Sequence, residues 1–147
     1  MASLNEIQEY LKNLCSKYEI EIIYSFGSRA KEVKDFLDGS IAQLDEGGSD
    51  VDIGIKLKPG SSLSVREKVL LSLEIEAILG VERIDLCLVN EVDPFLAAEI
   101  IRGERVFCCD EYLADQYDLY ILRRAGDLEP LERDRSRLVL GEPEVSP

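Results

Sequence analysis

Two aspartates, Asp50 and Asp52, stand two apart in the stretch DVDIGIKL. The stretch alternates, with Val51, Ile53 and Ile55 on one side and Asp50, Asp52 and Gly54 on the other. That is the period of a strand with one buried face. Both carboxylates then leave the same face, roughly 6–7 Å apart along the backbone, and their oxygens can converge on one or two hard cations. Mg2+ takes one or two carboxylates together with waters and substrate phosphates. A third acid, Asp85, opens the later run RIDLCLVN. If the two strands are neighbours, it faces the same ions. Three carboxylates about two metal ions are what in-line transfer of a nucleotidyl group requires. One ion lowers the pKa of the attacking hydroxyl, and the other neutralises the triphosphate and its leaving group.

A second constellation lies upstream. IEIIYSFGS, Ile20 to Ser28, is β-branched and aromatic and then stops at Gly27-Ser28, which reads as a strand ending in a turn. A glycine there lets backbone come close to a phosphate, and the amides at the start of the next helix point at it. Ser28 can donate its hydroxyl to a phosphate oxygen, and Arg29 and Lys31 are cations within reach of the same charge. Taken singly, each feature has an ordinary alternative. Gly-Ser turns are common, and an aspartate at a strand end is usually a solvated or capping group. The combination is sharper than its parts: strand, Gly-Ser turn, helix, Asp-x-Asp strand, helix, Asp-bearing strand.

The elements that must position these groups are legible from end to end. Ser3 to Tyr18 reads as a helix, with Ser3 and Glu6 spaced as a capping box and Leu4, Ile7, Leu11 and Leu14 at helical intervals. RAKEVKDFL opens a second helix from the Gly-Ser turn, and Asp38 to Gly48 has the composition of a loop. A third helix runs from Ser64 to Gly80, capped by Ser64 with Glu67 and closed by Gly80. The strand Arg83 to Asn90 follows. Next comes a helix with Asp93 as cap and Pro94 at its first position, then a short strand at Arg105 to Cys109. A last helix spans Glu111 to Gly126. The charged remainder, 127–147, reads as a tail with a short helix at Leu131 to Leu140 that frays beyond it. This order predicts an α/β (α+β) domain over residues 1–126, with one small mixed sheet of about four strands covered by helices, followed by the 127–147 tail.

Bulk properties narrow the function. The chain has 147 residues and a net charge of −13, from 30 acids against 17 bases. That balance repels a phosphate backbone and argues against broad nucleic-acid binding. It suits a basic protein partner, or a nucleotide brought in with metal ions. There is no histidine, which excludes an imidazole base and makes Cys/His zinc sites implausible. Cys15, Cys87, Cys108 and Cys109 show no metal-ligand spacing and read as thiols of a reducing cytoplasm. The N-terminus lacks the pattern of a signal peptide, and no apolar run approaches the ~20 residues of a membrane helix.

SFGSRA, then SDVDIGI, then RIDLCLV together resemble the minimal nucleotidyltransferases of the polymerase-β-like superfamily, over roughly Leu4 to Gly126. The resemblance implies the nucleotidyltransferase fold. It implies that Gly27 and Ser28 bind phosphate, that Asp50 and Asp52 are the metal-binding pair, and that Asp85 is the third carboxylate, the one that activates the attacking hydroxyl. It also implies Mg2+ (or Mn2+) as cofactor and ATP as substrate. Many members of the family are antitoxins of toxin–antitoxin systems that transfer AMP to a tyrosine of a HEPN-type RNase toxin. Two departures stand out. The family often continues the turn as Gly-Ser-x-Ala-Arg-Gly, whereas Lys31 and Glu32 occupy the Arg and Gly positions here, and the 33–48 connection is longer than usual. Two other readings remain open. One is a non-catalytic module that masks its partner. The other is a small-molecule nucleotidyltransferase, for which a large added substrate domain would be needed.

Overall fold

A computed structural model describes residues 3–45 and 47–140, with side chains as far as Gly126. Its elements run α1 (Leu4–Tyr18), β1 (Ile20–Phe26), α2 (Ala30–Leu37), β2 (Val51–Leu57), α3 (Val65–Leu79), β3 (Ile84–Leu88), α4 (Pro94–Ile101), β4 (Glu104–Cys108) and α5 (Glu111–Leu140). The helix starts carry the expected chemistry. The Ser3 hydroxyl accepts from the Glu6 amide at 3.2 Å. At α3 both halves of the capping box form, between Ser64 and Glu67. The Asp93 carboxylate accepts the Phe95 and Leu96 amides ahead of α4. Each bond satisfies amides that have no partner within the helix.

The four strands form one mixed sheet in the order β3-β2-β1-β4. β1 pairs antiparallel with β2 and β4, while β2 and β3, joined through α3, are parallel. The mixed four-strand sheet with helices on it is the architecture expected from the sequence. One face packs Ile23, Val51, Ile53 and Ile55 against Leu11, Leu14, Leu71 and Ile75 of α1 and α3. The other packs Ile22, Tyr24 and Phe26 against Ala97, Ile100 and Ile121 of α4 and α5. The β2 alternation therefore turns Asp52 and Gly54 toward the α4 side.

A polar knot docks α5 across the sheet. The Tyr24 hydroxyl donates to Asp118 at 2.6 Å. Arg105 of β4 donates to the other oxygen of Asp118 at 2.6 Å and lies 2.9 Å from Asp115. Burial, followed by the Asp118 carboxylate, pushes the Tyr24 phenol far above its ordinary range. α5 itself departs from the expected boundary, because it does not stop at Gly126 but continues unbroken to Leu140. An interior glycine costs a helix only about 1 kcal/mol, so its presence alone is a weak stop signal. The anticipated fraying beyond Leu140 lies outside the described residues.

Gly54 is where Ile100 of α4 packs directly onto β2. A Cβ placed on it would lie 2.5 Å from Ile100 Cγ2. Gly54→Ala is therefore expected to destabilise the fold by about 1–3 kcal/mol through overpacking. Ile100→Ala in the same chain should remove part of that cost, so that the double variant is less damaged than the sum of the two. Urea unfolding of the three variants checks it.

Candidate active site

Strand register brings the site together. Phe26 lies opposite Asp52 across the β1–β2 pair, and Asp52 lies beside Asp85 across the β2–β3 pair. The end of β1, and hence Gly27, is therefore placed directly beside the two carboxylates. Gly27 has φ +76°, and a Cβ on it would collide with Asp52 Oδ2. Backbone conformation and space both demand glycine there. Behind the turn the fully buried Ser25 hydroxyl donates to the Ala30 carbonyl at 2.8 Å, tying the strand end to the start of α2.

Asp52 is only partly exposed, and its carboxyl is held above the ordinary range. The first cause is burial, followed by the charges of Asp85 and Asp50 and a hydrogen bond with Asp85. Two carboxylates side by side resist ionising together. Asp50 lies just before β2, and its Oδ2 is 3.9 Å from Arg83 Nε. Among the described residues no three acidic or thiol side chains are gathered tightly enough to hold an ion as they stand. The row thus consists of a close pair, Asp52 and Asp85, with Asp50 drawn toward a guanidinium. The chemistry of the donors suits a hard divalent cation, which takes carboxylate oxygens and relieves the repulsion the pair carries.

The remaining residues singled out from sequence have distinct placements. The Ser28 hydroxyl is exposed and lies 2.8 Å from the Ser49 hydroxyl, joining the turn to the residue before Asp50. Arg29 is heavily engaged. Its Nε is 2.7 Å from Glu32 Oε1, its Nη2 donates to Glu32 Oε2 and to the Asp45 carbonyl, and its Nη1 donates to the Ser49 carbonyl. Lys31 stands out on α2, largely exposed, 4.0 Å from Asp35 one turn on. Three residues with a place here were given no role from sequence: Ser49, Glu32, which was noted only as a departure from the family pattern, and Arg83. Signals for the first two existed. Ser49 directly precedes the Asp-x-Asp strand, and Arg29 with Glu32 has the i,i+3 spacing of a helical ion pair.

The aspartate row separates two clefts. On the Asp50 side lies a polar cleft of about 530 Å3, with Arg29, Asp45, Gly47, Gly48, Ser49 and Arg83 among its lining. On the Asp85 side lies a groove of about 420 Å3 between α3 and the free edge of β3. Val69, Leu73, Leu86 and Leu88 supply much of its surface.

A family model described as "Polymerase beta, Nucleotidyltransferase" matches residues 5–112. No curated protein matches the chain significantly. Solved structures do match it. A chain of a mutant MntA–HpeT toxin–antitoxin complex is 14% identical with a TM-score of 0.66, covering 95% of this chain and 99% of that one. A chain of a complex described as tri-AMPylated Shewanella oneidensis HEPN toxin with MNT antitoxin is 13% identical with a TM-score of 0.63, covering 94% and 99%. A toxin–antitoxin structure with AMP-PNP is 13% identical with a TM-score of 0.62, covering 90% and 98%. At these identities the likeness is one of fold. No helix among the described residues is long and apolar enough to cross a membrane.

The repulsion at Asp52 has a measurable sign. A carboxyl raised in the folded state favours folding most at low pH and opposes it as pH rises through its folded value. Removing the charge should therefore help at neutral pH. Asp52→Asn is expected to raise the metal-free melting temperature by roughly 1–3 °C at pH 7, and the gain should shrink at a second, acidic pH as the wild-type carboxyl takes up a proton. Scanning calorimetry in a chelating buffer at the two pH values reads it.

Proposed function

The chain belongs to the polymerase beta nucleotidyltransferase family, and from that footing we propose that it is a Mg2+-dependent antitoxin that transfers AMP from ATP to a tyrosine of a HEPN-type RNase toxin. The observation that carries the reading is the registered pair Asp52 and Asp85, with Asp52 pressed against the Gly27 turn. The fold shared with chains of toxin–antitoxin complexes, one of them holding an AMPylated HEPN toxin, supports the choice of acceptor. The structure described with AMP-PNP supports the choice of nucleotide.

In this reading Asp50, Asp52 and Asp85 hold Mg2+, with Mn2+ as a substitute. The bound metal supplies the positive charge that offsets the triphosphate. The chain's own groups do the rest. Gly27 lets the turn backbone approach the phosphates, and the Ser28 hydroxyl donates to a phosphate oxygen. Asp85 accepts the proton of the acceptor tyrosine hydroxyl. The phenolic oxygen then bonds to the α-phosphorus as the bond from that phosphorus to the bridging oxygen breaks, and pyrophosphate leaves. The polar cleft beside Asp50 takes the nucleotide, and the apolar groove beside Asp85 takes the protein acceptor. The core over 1–126 carries the chemistry, and the 127–147 tail contributes to the partner contact in the cytoplasm. A net charge of −13 attracts an RNase whose surface is basic for RNA, which speeds association.

A second reading, a module that masks the toxin without modifying it, draws on one observation: Asp50 has an ion-pair contact with Arg83, at 3.9 Å. Intact-mass measurement of the RNase after incubation with ATP and Mg2+ separates the two. A gain of one or more adenylyl groups, absent with Asp50→Asn, is the expected result. RNase inhibition with no gain in mass would establish masking instead. Asp85→Asn is expected to lose transfer by about 10²–10⁴-fold while binding Mg-ATP within a few-fold in calorimetric titration. Nucleotide binding should disappear when the divalent cation is withheld.

A further inference from the structure

The long connection after α2, and the glutamate in the first turn of α2, are explained neither by the family pattern nor by the reaction. Their contacts form one continuous network. Glu32 accepts two bonds from the Arg29 guanidinium, at 2.7 and 3.2 Å, and its Oε2 also accepts the Asp45 amide at 3.1 Å. The same guanidinium donates to the carbonyls of Asp45 at 2.8 Å and Ser49 at 3.1 Å. The pair is well shielded, with side chains 13% and 21% exposed. Leu44, next to the clamped residue, is 5% exposed and belongs to the core beneath α1 and α3. The loop is therefore pinned at 44–45 and again at 49. At the second pin, Ser49 meets Ser28 through their hydroxyls, and Asp50 follows immediately.

We propose that Glu32, acting through Arg29, is a positioning residue that holds Ser49, and through Ser49 sets both the Ser28 hydroxyl and the backbone carrying Asp50. Arg29 thus serves as the hub of a loop clamp rather than as a phosphate ligand. Two physical points support this. A guanidinium whose donors are already committed to a carboxylate and two carbonyls has little to offer a phosphate. Its planar fork is also what allows it to hold both carbonyls and the carboxylate at once, a geometry that lysine cannot reproduce. In addition, Arg29 holds the Glu32 carboxyl below its ordinary range, with the Asp45 amide helping, so the clamp stays charged and closed at neutral pH. The glutamate at position 32 would be unhelpful if it faced a triphosphate, but it suits this role.

The consequence for nucleotide affinity rests on the proposed nucleotidyltransferase activity, whereas the clamp itself can be tested without it. Hydrogen exchange, read over residues 27–31 and 38–50, is measured on wild type, Glu32→Gln and Glu32→Ala. Glutamine keeps the length and one acceptor oxygen but loses the charge. Lys34→Ala, which breaks the 3.7 Å pair with Asp38 on the same helix, is the control. The expected order of protection at the Asp45 amide and at residues 27–29 and 49–50 is wild type, then Gln, then Ala, with Lys34→Ala like wild type. Mg-ATP affinity should fall in the same order, by about tenfold for Glu32→Ala, while kcat at saturating ATP changes by no more than about threefold. Unchanged exchange at 27–29 and 49–50 in a folded Glu32→Ala would overturn the clamp. Faster exchange with unchanged Mg-ATP affinity would overturn its role in setting the site. If wild type itself fails to bind Mg-ATP, the proposed activity falls, and exchange at 27–29 and 49–50 alone decides the clamp.

Discussion

Everything in this molecule is arranged around two carboxylates held side by side. Asp52 and Asp85 occupy paired positions on parallel strands, where left to themselves they repel. A marginally stable fold does not place like charges in register without compensation elsewhere. Here the compensation is the sheet itself. Val51, Ile53 and Ile55, all but fully buried, lock β2 so that its alternation leaves Asp52 no other face to point to. A one-residue slip would turn the aspartates into the apolar core beneath α1 and α3 and drive the isoleucines against α4. The hydrophobic face therefore enforces the charged one. The glycine turn follows from the same constraint. With the end of β1 registered against Asp52, the next residue has room for no side chain.

That dependence explains what could be read in the sequence. The Asp50-Val51-Asp52-Ile53 alternation announces both the strand and the facing of its acids, because burial of alternate residues is a local signal. The Ser64–Glu67 capping box and the Asp93-Pro94 start are equally local and equally visible. The helix between β2 and β3 permitted a parallel pair, which needs such a crossover, but their adjacency stayed a condition in the sequence and comes from the structure. What could not be read is non-local. No periodicity says that Leu44, in a loop of glycines and acids, is buried beneath α1 and α3, or that Arg29 is claimed by the carbonyls of Asp45 and Ser49, some 16 and 20 residues away. The charge of Arg29 was legible and its partners were not. The same holds for Asp50, whose neighbour Arg83 comes from the far end of the crossover.

The far side of the sheet shows how little local sequence says about a boundary. Gly126 looks like a helix terminator, but whether a glycine ends a helix depends on what the next turn gains by continuing. α5 is anchored upstream by Asp118, held from two directions by Tyr24 and Arg105, and by the burial of Ala114, Ile121 and Ala125. Those contacts fix the helix axis before Gly126 is reached, and the glycine is too weak a signal to redirect it. Arg105 is the counterpart of Arg29 on the opposite face. Each spends its guanidinium on joining elements distant in sequence, the use for which the forked geometry of arginine is best suited.

The aspartate row also acts as a divider. A transferase must bring two unlike substrates to one point, one of them a polyanion and the other, in the reading favoured here, a protein surface. The row meets that demand by lying along a boundary. Toward Asp50 the surface is polar, with backbone glycines and two guanidiniums. Toward Asp85 it is the open edge of β3 and the exposed Val69 and Leu73 of α3, at 54% and 56%. The second surface is the more apolar of the two, although Lys68 and Arg83 border it, and the first is the more polar, although Leu44 and Val81 border it. In the proposed reading, solvation favours the nucleotide on the first side and the protein on the second, and the carboxylates at the boundary are where the two would meet. Because β3 is an edge strand, the Asp85 side of the row stays open to a large partner. In the proposed reading, the asymmetry of the sheet order, with the aspartate row on the parallel pair at the β3 edge, is what would let a small substrate and a large one approach the same carboxylates from different sides.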